Sequence, residues 1–89
     1  SIKIGPVVIH DSGVTLTRKR LIGANESVFC TWREVVTGHA DGSFLIVKAD
    51  ERKVYEPLSY QEVDNVHILE ITMNMAKDRG LRRLSDVLG

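Results

Sequence analysis

The pattern of hydrophobic and polar positions divides this chain into two parts. In the first two thirds, hydrophobic residues alternate with polar ones or come in short runs, separated by clusters of glycine with aspartate or asparagine. This spacing is typical of short antiparallel strands joined by tight turns. Between residues 59 and 79 there is no glycine or proline, and hydrophobic residues recur at helical spacing. The pattern therefore predicts about six short strands followed by one C-terminal helix.

Four turn signals organise the strand region. Asp11, Ser12 and Gly13 predict the first hairpin turn, with a return strand that begins at residue 14 and continues through residues 21 and 22. Three further turns are predicted at the sequences GANES, HADGS and ADERK, which occupy residues 23–27, 39–43 and 49–53. Within HADGS, Asp41 followed by Gly42 is the strongest two-residue turn signal. The last strand is expected to end near residue 58, because Pro57 suits the end or edge of a strand.

A long amphipathic helix is predicted over residues 59–79. Its main hydrophobic arc consists of Val63, Val66, Leu69, Met73 and Ala76. Ser59 and Glu62 have the spacing of a capping box at the start, and Gly80 can end the helix in a left-handed conformation. Residues 81–88 form a second, short helical tail, which needs a neighbouring surface to be stable.

The long helix carries a second hydrophobic arc, although a helix packed on one surface needs only one. One interpretation is that the helix lies deep, with the strands on one side and the tail folded over the other. The interpretation that we favour is contact with another chain or with another part of a parent protein. The predicted interface comprises Tyr60, Ile68, Ile71, Met75, Leu81, Leu84 and Leu88.

Length and composition restrict the class of protein. With 89 residues, of which 43% are hydrophobic, the chain suits one domain spanning residues 1–89. Twelve basic and twelve acidic residues cancel, so no nucleic-acid partner is expected. No hydrophobic run approaches the roughly 20 residues that a membrane span requires. Because the chain begins with Ser1, we expect a processed piece of a longer protein. A single cysteine fits a reducing compartment, so we expect a location in the cytoplasm, or at the inner face of a membrane if the parent protein carries an anchor.

No combination of reactive residues indicates catalysis. His10, Asp11 and Ser12 are consecutive, whereas a hydrolase triad is a spatial arrangement, so this stretch is interpreted as a turn. Cys30 is interpreted as a core residue, with a thiolate paired with His39 or His67 as the alternative. A single cysteine and three widely spaced histidines do not form a zinc motif, and no glycine-rich phosphate loop is present. We therefore predict no catalytic residue, metal site or cofactor.

The order of these elements resembles that of the bacterial pleckstrin-homology-like and GRAM-like domains. The resemblance rests on a DSGV turn, the sequence FCTWREV at residues 29–35, a glycine-turned hairpin and a helix that opens with VDNV. In the typical turn of these domains, proline precedes tryptophan; here Thr31 precedes Trp32, and Glu34 and Val35 match. The resemblance implies a small antiparallel barrel or sandwich capped by a helix, with Trp32 packed inward at a corner. Compared with the family, the chain is one strand short at its N-terminus.

The only dense basic cluster, Arg18, Lys19 and Arg20, suggests a second function. Pleckstrin-homology-like domains that bind phosphoinositides use basic residues on their first hairpin, so the resemblance implies contact with anionic lipid headgroups there. Strand alternation weakens this hypothesis, because Lys19 faces away from its two neighbours. The leading prediction is therefore a non-catalytic module that binds protein, either as a homo-oligomer or within its parent chain, and lipid binding is the alternative.

Overall fold

The computed structural model describes residues 1–80 and 82–88 of the chain. Seven strands precede two helices in the described residues. The strands are β1 (Ile2–Ile4), β2 (Val7–His10), β3 (Gly13–Arg18), β4 (Glu26–Thr31), β5 (Val35–Ala40), β6 (Ser43–Lys48) and β7 (Glu51–Ser59). The helices are α1 (Val66–Asp78) and α2 (Ser85–Leu88), and one turn of 3-10 helix at Trp32–Glu34 connects β4 to β5. The predicted class, mainly antiparallel β-structure with a C-terminal helix, is confirmed.

The strands form one antiparallel sheet that is not closed into a complete barrel. Its order is β1-β2-β3-β7-β6-β5, and β4 pairs with β3 outside this path. The strand β3 has β4 along one edge for its full length, while β2 and β7 share the other edge. Because β7 reaches β3 only at Val54 and Tyr55, Pro57 lies where β7 has β6 as its sole described neighbour. This position tolerates the missing proline N–H.

Alternation along the strands produces the core. Buried residues occur at every second position: Val7 and Ile9 in β2, Val14 and Leu16 in β3, Phe44 and Ile46 in β6, and Val54, Glu56 and Leu58 in β7. The helix α1 covers this layer with the buried side chains of Val66, Leu69, Met73 and Ala76. The main arc predicted from the sequence is therefore the face that α1 buries, except that Val63 lies before the helix and is half-buried.

The tightest turns follow the predicted chemistry. Asp41 and Gly42, with φ angles of 48° and 74°, both take the left-handed conformation that a two-residue hairpin turn requires. Asp11 and Ser12 join β2 to β3 as expected. The return strand was predicted to continue through residues 21 and 22, and this is wrong, because β3 ends at Arg18 and residues 19–25 form a connection to β4.

The predicted start of the long helix is also wrong. The strand β7 extends through Ser59, which pairs with Ser43, and α1 begins only at Val66 after Asn65 adopts a left-handed φ of 68°. The Ser59 side chain does accept a hydrogen bond from the Glu62 backbone N–H, at 3.2 Å, but this bond closes a turn rather than a helix. The predicted helix end is confirmed, since Gly80 has a φ of 66° and its N–H donates to the Lys77 carbonyl at 3.0 Å.

Trp32 occupies the predicted corner between β4 and β5. Its ring is buried, and its Nε1–H donates a hydrogen bond of 2.8 Å to the backbone oxygen of Asp11. The 3-10 turn is capped by Glu34, whose carboxylate accepts hydrogen bonds from the Thr31 N–H and hydroxyl at 2.8 and 3.0 Å. Thr31 therefore occupies the N-cap position of this turn and is held there by both bonds to Glu34. The prediction that Trp32 packs inward is confirmed.

Candidate functional site

The outer face of α1 exposes large hydrophobic side chains. Ile68 and Ile71 are 64% and 60% exposed, and Met75, one turn after Ile71, is half-buried. These three residues lie on the side of α1 opposite Leu69 and Met73, as helical spacing requires. We call Ile68, Ile71 and Met75 the α1 patch. The structure brings these three predicted interface residues together on one surface.

Tyr60 does not belong to the α1 patch, because it precedes the helix. Its hydroxyl donates a hydrogen bond to Glu70 Oε1 at 2.6 Å and lies 2.8 Å from His39 Nδ1. The ring stacks on His67 with a centroid separation of 4.7 Å, and His39 Nε2 lies 3.1 Å from Glu70 Oε2. Burial, followed by the bond to Glu70, raises the pKa of Tyr60 to about 12. Tyr60 therefore joins β5, β7 and α1 within the chain.

Of the three leucines that the tail contributes to the predicted interface, the structure describes the side chain of Leu84 only. Leu84 is half-buried against the core, and its N–H donates to the Asp11 backbone oxygen at 2.9 Å. Leu81 lies outside the described residues. Leu88 ends α2, and its side chain is likewise not described. The described tail residue thus supports the interpretation that the segment packs on the chain itself.

The basic cluster is engaged in ion pairs with three glutamates. Arg18 donates to both carboxylate oxygens of Glu51, at 2.6 and 2.9 Å, and to Glu26 at 2.8 Å. Arg20 also pairs with Glu26. The bond to Arg18 lowers the pKa of Glu51, because it stabilises the ionised carboxylate. The two arginines thus tie β3, β4 and β7 together.

Lys19 has a different environment from its two neighbours. Its Nζ donates a hydrogen bond of 2.7 Å to Oε1 of Glu56, which is only 6% exposed, and lies 5.2 Å from the centre of the Tyr55 ring. The three cations of the basic cluster therefore pair with three carboxylates. This local neutralisation weakens the attraction that the basic cluster alone would have for an anionic surface.

Sequence reasoning missed an exposed hydrophobic loop. Leu21 is fully exposed and Ile22 is 89% exposed, at the connection between β3 and β4. Arg20, Arg52 and Lys53 line the same surface depression as these two residues. We call Leu21 and Ile22 the loop tip. The signal that could have indicated it is Gly23, whose φ of 87° fits a turn directly after the two hydrophobic residues.

The reactive residues occupy structural positions. Cys30 is buried in the core, and burial raises the pKa of its thiol. His10 Nε2 lies 3.1 Å from the hydroxyl of Thr15, and the other two histidines contact Tyr60. In the described residues, no group of three or more histidine, cysteine, aspartate or glutamate side chains is arranged to hold a metal ion.

Comparisons with protein-family models, curated proteins and solved structures give no match for this chain. Neither helix in the described residues has the length and hydrophobicity needed to cross a bilayer. Interpretation of function therefore rests on the surfaces described above.

Proposed function

We propose that this chain is a non-catalytic interaction module that self-associates through the α1 patch. The observation that carries the proposal is the pair of exposed isoleucines, Ile68 and Ile71, on a helix whose opposite face is already buried in the core. Covering exposed hydrophobic area is favourable by about 25 cal/mol per Å². A connected hydrophobic surface of this kind is more typical of an interface than of a solvated helix.

The charges around the α1 patch favour a second copy of the chain as the partner. Asp64 lies exposed just before the helix, and Asp78 and Arg79 lie exposed side by side at its other end. In an antiparallel pair of α1 helices, a two-fold axis near residues 71 and 72 brings the start of one helix to the end of its partner, within reach of a pair between Asp64 and Arg79. The same register brings Ile68 opposite Met75. The α1 patch is therefore self-complementary, as a two-fold interface must be.

Sedimentation velocity across a concentration series tests self-association. We expect the wild type to dimerise, and Ile71→Asp to be monomeric, because dimerisation would bury an unpaired carboxylate. Asn74→Asp is the matched control, since it adds the same charge to an exposed position of α1 outside the α1 patch. Circular dichroism checks that each variant is folded. A wild type that stays monomeric at high concentration contradicts the proposal.

A charge exchange tests the antiparallel register without placing a charge in the hydrophobic contact. Asp64→Arg and Arg79→Asp should each weaken the dimer, because each creates a like-charge pair across the interface. The double variant should restore it. Failure of the double variant to recover would exclude this register, while leaving the Ile71→Asp result to decide whether α1 is the interface at all.

The family resemblance supports a non-catalytic role, and the pleckstrin-homology-like type of fold forms part of the proposal. The order of strands followed by a C-terminal helix fits that type. A location in the cytoplasm or at the inner face of a membrane is likewise proposed. An experimental structure of the chain in solution tests the fold type, since a pleckstrin-homology-like domain requires two packed sheets closed at one end by the helix.

The loop tip favours a second candidate function, contact with an anionic membrane surface. Leu21 and Ile22 project where hydrophobic side chains can enter the headgroup region, and Arg52 and Lys53 lie beside them, whereas Arg20 is paired with Glu26. Each cation near such a surface contributes about 1 kcal/mol. The lipid contact predicted from the sequence relied on the charges of Arg18, Lys19 and Arg20 alone. In the present candidate, insertion of the hydrophobic loop tip into the membrane supplies part of the affinity.

Co-sedimentation with vesicles of phosphatidylserine and phosphatidylcholine tests the membrane candidate. We expect binding at low salt that is lost in the double variant Leu21→Asp, Ile22→Asp. Val36→Asp is the control, because Val36 is an exposed hydrophobic residue on β5, away from the loop tip. If the wild type does not sediment with anionic vesicles, or if all variants bind equally, the loop tip is not a membrane contact.

A further inference from the structure

A cavity beside the Trp32 corner is lined by basic and hydroxyl side chains. Its volume is about 390 Å³. The lining residues are Ser12, Thr31, Trp32, Arg33, Arg82 and Arg83. Three of these six side chains are guanidinium groups, which come from two segments that are distant in the sequence. The cavity is separate from both the α1 patch and the loop tip.

Asp11 fixes the two walls of this cavity relative to each other. Its backbone oxygen accepts hydrogen bonds from Trp32 Nε1 at 2.8 Å and from the Leu84 N–H at 2.9 Å. Its carboxylate accepts hydrogen bonds from the N–H and hydroxyl of Ser85, at 2.8 and 3.1 Å. Arg33 directly follows Trp32, and Arg82 and Arg83 directly precede Leu84. One residue of the β2–β3 turn therefore positions the two backbone segments that carry the three arginines.

The carboxylates near the cavity already have hydrogen-bond donors. The Ser85 backbone N–H, followed by the Ser85 hydroxyl, lowers the pKa of Asp11, and the Thr31 N–H lowers the pKa of Glu34 in the same way. Among the described residues that line the cavity, three carry guanidinium groups and none carries a carboxylate. In the part of the chain that the structure describes, no ion pair within 4.0 Å involves Arg33, Arg82 or Arg83. Arg18 and Arg20 are paired at close range, whereas Arg83 acts on Asp11 only from beyond 4.0 Å, where its charge contributes to the lowered pKa of that carboxyl.

We propose that this cavity is a binding site for a phosphate group. Guanidinium presents pairs of parallel N–H donors that match two oxygens of a phosphate, and three such groups around one cavity can meet a tetrahedral anion from several sides. The Ser12 hydroxyl adds a further donor at the turn. The shared chemistry of the ligand is a phosphate group, carried either by a soluble molecule or by a lipid headgroup. This site is independent of the proposed self-association.

Trp32 provides the readout, because it is the only tryptophan of the chain and lines the cavity. Inorganic phosphate is titrated at constant ionic strength, with chloride as the balancing anion, while tryptophan fluorescence is recorded. We expect a saturable change whose midpoint rises about tenfold in each of Arg33→Ala, Arg82→Ala and Arg83→Ala, the loss expected of one charge-assisted hydrogen bond. Lys3→Ala, which removes an exposed cation on β1 outside both the cavity and the loop tip, should leave the midpoint unchanged.

A second arm distinguishes the two sources of phosphate. Vesicles of phosphatidylcholine with phosphatidic acid are titrated in the same assay with the Leu21→Asp, Ile22→Asp variant, which removes the loop tip as a separate membrane contact. Saturation by vesicles but not by inorganic phosphate assigns the site to a lipid headgroup, and the reverse assigns it to a soluble ligand. Amide shifts of Ser12, Arg33 and Arg83 in the wild type, followed by NMR, test the site without any substitution. The proposal is overturned if neither titration saturates, if these amides do not shift, or if Lys3→Ala weakens binding as much as the cavity variants.

Discussion

The ion pair between Lys19 and Glu56 allows a quantitative test of whether the basic cluster stabilises the fold. Glu56 is buried in the core layer of β7, and Lys19 Nζ donates to its Oε1 at 2.7 Å. Lys19→Met keeps the aliphatic part of the side chain beside Tyr55 but removes the ammonium group. We expect this change to destabilise the fold, because it leaves a buried carboxylate without its cation.

The magnitude follows from the geometry of the pair. Two unit charges 2.7 Å apart attract by about 6 kcal/mol at an effective dielectric constant of about 20. Desolvation of the carboxylate opposes most of this attraction, so that a hydrogen bond to a charged group contributes about 1.5–3 kcal/mol net. The Lys19 side chain is 34% exposed, which screens the pair. We therefore expect a coupling of about 1.5 kcal/mol, at the lower end of that range.

A double-mutant cycle with Lys19→Met and Glu56→Gln measures this coupling by chemical denaturation. Lys53→Met is the matched control, because Lys53 is an exposed lysine on the same strand as Glu56. A coupling below about 0.5 kcal/mol would refute the reasoning, since that is the usual scatter between independent sites. In that case Lys19 would be an ordinary surface cation, and the case for the basic cluster as a lipid contact would strengthen.

Three further predictions concern stability. Gly13→Ala should cost about 3 kcal/mol or more, because an added Cβ would lie 2.1 Å from the Cys30 backbone oxygen, whereas Gly38→Ala, with open space around it, should change stability by less than about 1 kcal/mol; urea denaturation of both variants checks this. Trp32→Ala should lower the free energy of unfolding by about 3–5 kcal/mol. Trp32→Phe should lower it distinctly less, because phenylalanine keeps an aromatic ring and lacks only part of the ring volume and the hydrogen bond to Asp11. Equal losses in chemical denaturation would argue against packing as the main contribution. The Ser85 N–H is the main cause of the lowered pKa of Asp11, so the ionised carboxylate stabilises the docked tail. This contribution is fully present above the ordinary pKa of 3.8 and is lost as the pH falls through the lower folded-state pKa. An NMR titration of the Ser85 amide should therefore show a transition below pH 3.8 in the wild type and none in Asp11→Asn.

The parts of the fold that the sequence predicted are those that depend on neighbouring residues. The turn at Asp41 and Gly42 needs two residues that accept positive φ, and both positions are specified locally. The buried face of α1 follows from helical spacing alone. The inward position of Trp32 followed from the family resemblance, and the bond from its indole N–H to Asp11 explains why the corner is stable.

The errors arose where a distant strand decided the local structure. Ser59 has the spacing of a helix cap, but its pairing with Ser43 keeps it in β7 and delays α1 to Val66. Leu21 was predicted to lie in a strand because it is hydrophobic, but β3 ends at Arg18 and Leu21 lies in the loop that follows. Partners such as Glu56, which lies 37 positions from Lys19, cannot be recognised from composition or periodicity. Tertiary context overrides local propensity in each case.

The charges near the α1 patch and near the loop tip suit different partners. The α1 patch has an acidic residue, Asp64, near one end and a basic residue, Arg79, at the other, which suits a copy of the same surface. The loop tip lies beside Arg52 and Lys53 in a depression that Glu51 also lines, and these two lysine and arginine side chains suit an anionic surface. Because the surfaces lie on different elements, their effects should be independent: Ile71→Asp should abolish dimerisation without affecting vesicle binding per protomer, and the loop-tip variant should do the reverse. If Ile71→Asp also removes vesicle binding, then avidity of the dimer carries the membrane contact, and the two functions are one.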